Sequence, residues 1–420
     1  MDNTTIPNVS VLRKYLSVLS FDEFRSAYLD WGTKKLTTAN LMRICVAIQL
    51  GNWGSYAEIE EQIRALNEGA VELFGLTSIS GSQLSRRVND LPSTFAQRLF
   101  LAALAKLKEV NLNTKGFPAL GILHIVDSSL LHIGADELGK WAYFTKHSNC
   151  VKFHTRLVVT APGEAYPDMV IPSTGNVDDR EVALELVIDP DATHLMDRGY
   201  VDYSKMDYWV KENIKFAMRI NGNNKATILE TYQIPSDKNI ILDAKVLLGS
   251  SFTRMEHPVR LVEFQDQQGR SYRIVTNRWD LTAEEVAELY RCRWAIELFF
   301  KWVKQHLRIR KLQSTKPQGI WNQIFFAMTA YCLAWVIRAQ EKTSKTVWQV
   351  LRLLRIHAKN SWQEFQNELH RPPKRTSKGR QKSQQPRSPV ELYDAGVAIV
   401  KPIGVSTSKM AKYMKTKKKK

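Results

Sequence analysis

Cysteine is scarce in this chain. Four residues, Cys45, Cys150, Cys292 and Cys332, are scattered over 420 positions and form no Cys-x-x-Cys pair. That spacing excludes a disulfide framework and the common thiolate zinc sites, and it fits a reducing compartment. Long apolar runs are missing too. The longest, Ile324–Ile337, holds 14 residues and includes Thr329 and Tyr331. A bilayer span needs about 20 apolar residues, so this run is expected to be a buried core helix, with no membrane partner. Met1–Ser10 is polar and lacks the charged-then-apolar pattern of an export signal, so a cytoplasmic protein is expected. Acidic charge also falls short: 60 Lys and Arg face 42 Asp and Glu, for a net charge of +18. Residues 371–420 carry 15 Lys and Arg against 2 acids, a net of +13, which leaves +5 for everything before them. A basic tail on a nearly balanced body points to a polyanion, most simply nucleic acid, although a solubilising tail has the same composition.

What is present is a globular composition, 44% apolar, with length for two or three domains. Residues 1–112 read as helical. An apolar stripe begins at Leu12, Leu16 and Leu19, a second covers Leu36–Leu50, and Ser55 with Glu58 has the spacing of a capping box. The short polar segment Ser80–Asn89, bearing Gln83, Arg86 and Arg87, follows a turn and suits the reading helix of a helix-turn-helix. From Ala119 the texture changes. Ala119–Val126 reads as a strand ending at Asp127. His147–Thr160 alternates, with Lys152 and His154 on its polar face. Asp168–Ile171 is a short strand, Asp178–Ile188 a helix, and the strand begun at His194 ends at Asp197. The expected core is an α/β mixed sheet flanked by helices over 113–220 and 278–358. A β-rich insertion spans 221–277, with a hairpin of Val259–Phe264 and Ser271–Thr276, and a basic disordered tail spans 359–420.

Tyr290, Arg293, Glu297 and Lys304 lie at offsets 0, 3, 7 and 14. At about 100° per residue these share one stripe of a helix expected to run from Thr282 to about Arg308, opened by a Thr282/Glu285 capping box. A polar stripe on an otherwise apolar helix has two explanations. Arg293 and Glu297 at i,i+4 form an ordinary ion pair, or Glu297 holds a metal while its neighbours hold phosphates. Asp127 and Asp197 each end a predicted strand, where ligand sites of open α/β sheets lie. Three carboxylates from three elements suit a hard divalent cation, and two such ions can activate a water or a 3′-hydroxyl against a phosphodiester. His124, an odd number of positions from Asp127 in the strand, points to the other face and reads as structural.

The spacing Tyr290-x2-Arg293-x3-Glu297-x6-Lys304, with Asp127-Ser-Ser and Asp197-Arg-Gly-Tyr200 ahead of it in order, resembles the DDE transposases of the insertion-sequence-four family, a bacterial mobile-element group. The resemblance covers about residues 119–340. It implies a ribonuclease-H-like core in which Asp127, Asp197 and Glu297 bind two Mg²⁺, with Mn²⁺ as a substitute. It also implies that Tyr290, Arg293 and Lys304 hold DNA phosphates, with Arg198, Lys152, His154, Arg86 and Arg87 as further DNA contacts. The partners implied are double-stranded DNA, both terminal repeats and target, and a second copy of the chain in a homodimer on that DNA, near the bacterial nucleoid. Cut-and-paste strand transfer is the implied reaction. A plain Mg²⁺-dependent nuclease, or a DNA-binding relative without strand transfer, would use part of the same apparatus. Some relatives flip out a base and stack it on an aromatic residue of the insertion. Residues 210–277 hold no Trp and offer only Phe216, Tyr232, Phe252, Phe264 and Tyr272.

Overall fold

The computed structural model describes residues 9–110, 116–133, 137–145, 147–161, 164–234, 239–266, 268–307, 309 and 312–372. Of the basic tail expected over 359–420, residues 359–372 lie within them and the rest outside. Six helices come first: α1 Val11–Leu16, α2 Thr38–Gly51, α3 Tyr56–Ala65, α4 Glu68–Phe74, α5 Gly81–Asp90 and α6 Ser93–Val110. A sheet region follows, with β1 Leu123–Ile133, β2 Tyr143–Thr145, β3 Ser148–Ala161, β4 Glu164–Thr174, the one-turn helix α7 Ala183–Leu186, β5 Thr193–Met196, α8 Tyr203–Lys211 and β6 Lys215–Arg219. Next come β7 Ala226–Thr231, β8 Ile240–Leu248, β9 Val259–Gln265 and β10 Ser271–Thr276. Helices close the chain: α9 Ala283–Arg291, α10 Trp294–His306, α11 Pro317–Gln340, α12 Val347–Ile356 and α13 Trp362–Leu369.

All the described strands belong to one mixed sheet in the order β2-β3-β1-β5-β6-β10-β9-β8-β7, with β4 on the outer side of β3. β3 runs antiparallel to both β1 and β4, its two neighbours, whereas β5 and β6 run parallel to β1. The segment 221–277 thus adds its strands to the core sheet through β10 and β6. Side chains alternate between two apolar layers, as strand geometry requires. Leu123, Ile125, Leu195, Ala217 and Ile274 pack on the side of α9, α10 and α11, while Val126, Met196, Phe216, Met218 and Val275 pack with α7 and α8.

The centre of the helical layer is α11. Its 24 residues pass the length and composition test for a membrane span, beyond the 14-residue run read from sequence, but 94% of the apolar window is buried inside the protein. The N-terminal helices wrap this core helix. Asn322 donates to the carbonyls of Val88 at 2.9 Å and Leu91 at 2.7 Å, tying the end of α5 to it. At the other end of the chain, α13 extends the helical structure past residue 359, where the tail was expected to begin. A Ser361/Glu364 capping box starts it, and Phe365 and Leu369 bury its inner face.

Three further expectations are corrected. β1 does not stop before Asp127 but runs on to Ile133 against β3. The predicted helix Asp178–Ile188 reduces to one turn, Ala183–Leu186, with Asp178 ahead of it accepting from the Arg180 N–H at 2.9 Å. The long helix from Thr282 is broken at Cys292–Arg293, where Arg293, Ala295 and Ile296 donate to carbonyls three residues back. The Thr282/Glu285 capping box is present, whereas at Ser55 only half forms: Ser55 accepts from Glu58, and Glu58 turns to the Gly54 N–H.

Candidate active site

The site is set by strand register. Val126 pairs with Met196 in the last parallel pair of β1 and β5, so the next residues, Asp127 and Asp197, emerge side by side. Neighbouring strands are about 4.8 Å apart. Asp127 continues the Leu123–Ile125 face, toward α10. Across the gap Arg293 reaches Asp127, with Nη1 3.5 Å from Oδ2, and also forms a short ion pair with Glu297. The i,i+4 pair read from sequence therefore exists, and it also bridges to a carboxylate of the sheet. Tyr290 is buried beneath Arg293, whose guanidinium lies 5.9 Å from the ring centre. Burial, first of all, pushes the Tyr290 hydroxyl up to about 12, so it stays protonated.

Asp127 feels the crowding most. Burial raises its carboxyl, the Ser128 N–H at 2.7 Å opposes that, and the charges of Asp197 and Asp179 outweigh Arg293, leaving it at about 7. Asp197 accepts from the Gly199 N–H at 2.7 Å and opens a single 3₁₀ turn, Arg198–Tyr200. The Tyr200 hydroxyl is fully buried, has no hydrogen-bond partner among the described residues, and is pushed well up by burial and by Asp179, Asp127 and Asp197.

Asp179 was missed by sequence reasoning. It follows the turn after β4, and an Asp-Asp pair there reads as a helix start. Its carboxylate takes Lys152 Nζ at 3.2 Å and lies 3.3 Å from His154 Nδ1, and it accepts from the Ser128 side chain. Burial alone would raise Asp179. The hydrogen bonds from His154, Ser128 and Lys152 win, and it sits below the usual carboxylate range. This corrects the roles of Lys152 and His154. His154 pairs with Ser128, not Asp127, so both side chains lie on the opposite face of β1 from Asp127. His154 is fully buried against Ser173 Oγ at 2.9 Å, and Lys152 is tied to the Val177 carbonyl at 2.7 Å; neither is presented to a DNA backbone.

Other predicted residues fall out as follows. Arg198 is exposed at the turn and reaches Asn221 Oδ1 at 3.4 Å. Lys304 is half-buried in the last turn of α10. Arg86 is exposed on α5. Arg87 instead folds inward and holds the carbonyls of Leu29 at 3.0 Å and Leu36 at 3.3 Å, plus Asp30 at 3.2 Å, which makes it a brace of the loop before α2. His124 is structural, as expected: its Nδ1 lies 3.4 Å from Nε2 of its register partner His194. Of the five insertion aromatics, Phe216 and the stacked pair Phe264–Tyr272 belong to the packed interior, while Phe252 stands 98% exposed at the β8–β9 turn.

Among the described residues no three His, Cys, Asp or Glu side chains are grouped closely enough to share one ion. The donors still suit a hard cation. Two carboxylates emerge at the end of a parallel strand pair, one of them pushed up toward neutrality by burial and then by its acidic neighbours, and a buried hydroxyl without a partner among the described residues feels their charge. A positive charge placed there relieves all three conditions.

A strand-end acid pair of this kind, faced by an Arg–Glu helix, belongs to a known class. Residues 121–333 match the family described as Transposase DDE domain, and the chain belongs to that family: it is a DDE-type transposase of the bacterial insertion-sequence kind. It is 27% identical over 354 residues to the probable transposase for insertion sequence element IS5377 of Geobacillus stearothermophilus, covering 82% of this chain and 88% of that one. It is 28% identical over 236 residues to the putative transposase y4zB of Sinorhizobium fredii, covering 55% and 64% respectively. Among solved structures it is similar to the piggyBac transposase synaptic complex with hairpin DNA, at a TM-score of 0.43 and 10% identity over 94% of this chain and 85% of that one. Dependence on a divalent metal and DNA as partner are general properties of such enzymes.

Proposed function

We propose that this chain nicks DNA at the ends of an insertion sequence and joins the freed 3′-hydroxyl to target DNA, with Asp127, Asp197 and Glu297 as its catalytic acids. The observation that carries the reading is the register Val126↔Met196, which sets two carboxylates side by side beneath the Arg293–Glu297 pair. Asp127 and Asp197 would hold Mg²⁺, replaceable by Mn²⁺, with Glu297 contributing from α10. When bound, the ions supply Lewis acidity and a nucleophilic oxygen of low pKa. Arg293, held over Tyr290, offers a planar fork to a phosphate. Arg198 beside Asp197 and Lys304, about 10 Å along the helix from Glu297, would hold the flanking backbone, and Arg86 would contact the duplex from α5. Phe252, exposed at its turn, is the residue we assign to stacking on an extruded base, should the reaction pass through one. The five strands β4-β3-β1-β5-β6 form the unit we assign to a ribonuclease-H-like core. Joining two element ends brings two copies of the chain onto DNA, within the cytoplasm.

The test is strand cleavage of an end-containing duplex. Asp127→Asn, Asp197→Asn and Glu297→Gln are each expected to abolish Mg²⁺-dependent nicking while end binding persists. Undiminished nicking by any one removes that residue from the site. A pre-cut 3′-hydroxyl end offered with target DNA then separates a transposase, which joins it, from a plain nuclease, which does not.

A further inference from the structure

The pair Lys152 and His154 is an odd investment if Asp179 is only a turn residue. Lys152 has a side chain 12% exposed and His154 one fully buried, and besides their bonds to the Val177 carbonyl and Ser173 Oγ both come within 3.3 Å of a single oxygen, Oδ1 of Asp179. The Ser128 side chain, next to Asp127, donates to the same carboxylate. With Oδ1 committed, the direction of Oδ2 decides what Asp179 does. A Cβ added to Gly199 would lie 3.8 Å from Asp179 Oδ2 and 3.0 Å from Asp197 Oδ1. The two oxygens therefore flank one small space, kept open because residue 199 has no side chain. The Tyr200 hydroxyl, fully buried and without a hydrogen-bond partner among the described residues, feels the charges of Asp179, Asp127 and Asp197. Two acids, a held orientation and an open space meet at Gly199, and the unpartnered Tyr200 hydroxyl and Asp127 feel the same charges.

We propose that Asp179 is a further positioning residue of this site. Its Oδ2 accepts a hydrogen bond from a water in the shell of the cation held by Asp127 and Asp197, and Lys152 and His154 fix the carboxylate in that orientation. The proposal rests on the reading of Asp127 and Asp197 as cation ligands. Outer-shell partners of this kind tune metal affinity by about 10- to 100-fold. The contacts of Lys152 and His154 fix Oδ1 of Asp179 and with it the direction of Oδ2.

The experiment titrates Mn²⁺ alone into the metal-free full-length protein, read by calorimetry and by the electron paramagnetic resonance signal of free Mn²⁺. Asp179→Asn keeps the volume, and its carbonyl still accepts from Lys152 and His154. At the Oδ2 position it puts an amide donor where the proposal needs an acceptor. The expected result is Mn²⁺ binding at least tenfold weaker, with the metal-free melting temperature near that of the wild type. Gly199→Ala is the second variant. It leaves Asp179 and its clamp intact and pushes a methyl into the shared space, and it too is expected to weaken Mn²⁺ binding about tenfold. Should Asp179→Asn unfold, Lys152→Met decides instead: it releases the Asp179 carboxylate from its 3.2 Å partner without touching Asp127 or Asp197, and it is expected to weaken Mn²⁺ binding severalfold. Wild-type affinity in the folded variants, while Asp127→Asn has lost it, overturns the role of Asp179 and leaves the site reading intact. Wild-type affinity in Asp127→Asn as well overturns the site reading itself.

Discussion

Asp127 shows at the scale of one side chain how function strains a fold. Its carboxyl ionises near 3.8 in an unfolded chain and is pushed up to about 7 in the folded one, by burial first and then by Asp197 and Asp179 against Ser128 and Arg293. Between those values the folded state keeps a proton that the unfolded state has released. Stability therefore falls as pH rises from about 4 to 7, and the loss is complete above 7. With its side chain 21% exposed, solvent screens Asp127 only in part. Asp127→Asn removes the strained group and can still accept from the Ser128 N–H. The metal-free variant is expected to be more stable than wild type at pH 8 by on the order of 2–4 kcal/mol, with the gain shrinking toward zero at pH 4. Urea melts of both proteins across that range check it; a gain that does not change with pH would assign the effect to something other than this titration. What was legible in sequence was placement set by local spacing: Arg293 and Glu297 as an i,i+4 pair, and Asp127 and Asp197 each just beyond an apolar strand segment. Asp179, Lys152 and His154 were misread or missed because their meaning lies in which face of β1 they occupy, and that is fixed by the pairing of Ser128 with His154, a long-range fact.

Elements show the same division. A helix with a strong cap and a clear apolar face, such as α9, starts where the sequence indicates. The continuous helix through Cys292 was not a safe reading. Periodicity cannot register a tightened turn, and the three bonds to carbonyls three residues back place Arg293 at the joint, where it touches both β1 and α10. On α5 periodicity misled in another way. Arg86 and Arg87 look alike in sequence, yet one residue is about 100° of helix rotation, which turns Arg87 onto the loop before α2. There it holds the carbonyls of Leu29 and Leu36 and the carboxylate of Asp30, which itself caps Thr38 through its N–H at 2.6 Å and its hydroxyl at 2.7 Å. Arg87→Ala leaves those acceptors short of a donor and is expected to cost about 2–3 kcal/mol of stability. Arg86→Ala is expected to leave stability within about 0.5 kcal/mol while weakening duplex binding. Paired thermal melts and DNA titrations test the contrast; an Arg87→Ala protein that melts like wild type but binds DNA as poorly as Arg86→Ala would restore the helix-turn-helix role of Arg87.

For the molecule as a whole, composition separated what holds the fold from what surrounds it. Up to His370 the chain forms one compact unit. Its two ends are clipped together: the Val11 N–H donates to the Asn360 carbonyl at 3.0 Å, and the Trp362 N–H to the Val9 carbonyl at 2.9 Å. Phe365 and Leu369 bury the inner face of α13 in the core. The mixed sheet and the buried core helix were legible because alternation and apolar runs are local signals. The joining of segment 221–277 to the core sheet through β10 and β6 was not, since a strand's partner leaves no mark in its own alternation. The remaining 50 residues carry +13 of the +18 net charge. If their function is electrostatic, a chain ending at His370 keeps its melting temperature and loses salt-sensitive DNA affinity. Each phosphate contact given up flattens the slope of log K against log salt by about 0.9 on duplex DNA. With 15 cations removed, the slope is expected to drop by on the order of 5, because only some of them engage a phosphate at one time. Titrations of full-length and truncated protein on a random-sequence duplex at several salt concentrations measure it. A slope that stays put, with the fold intact, would leave those cations a solubilising role and move the whole of DNA recognition onto the body of the protein.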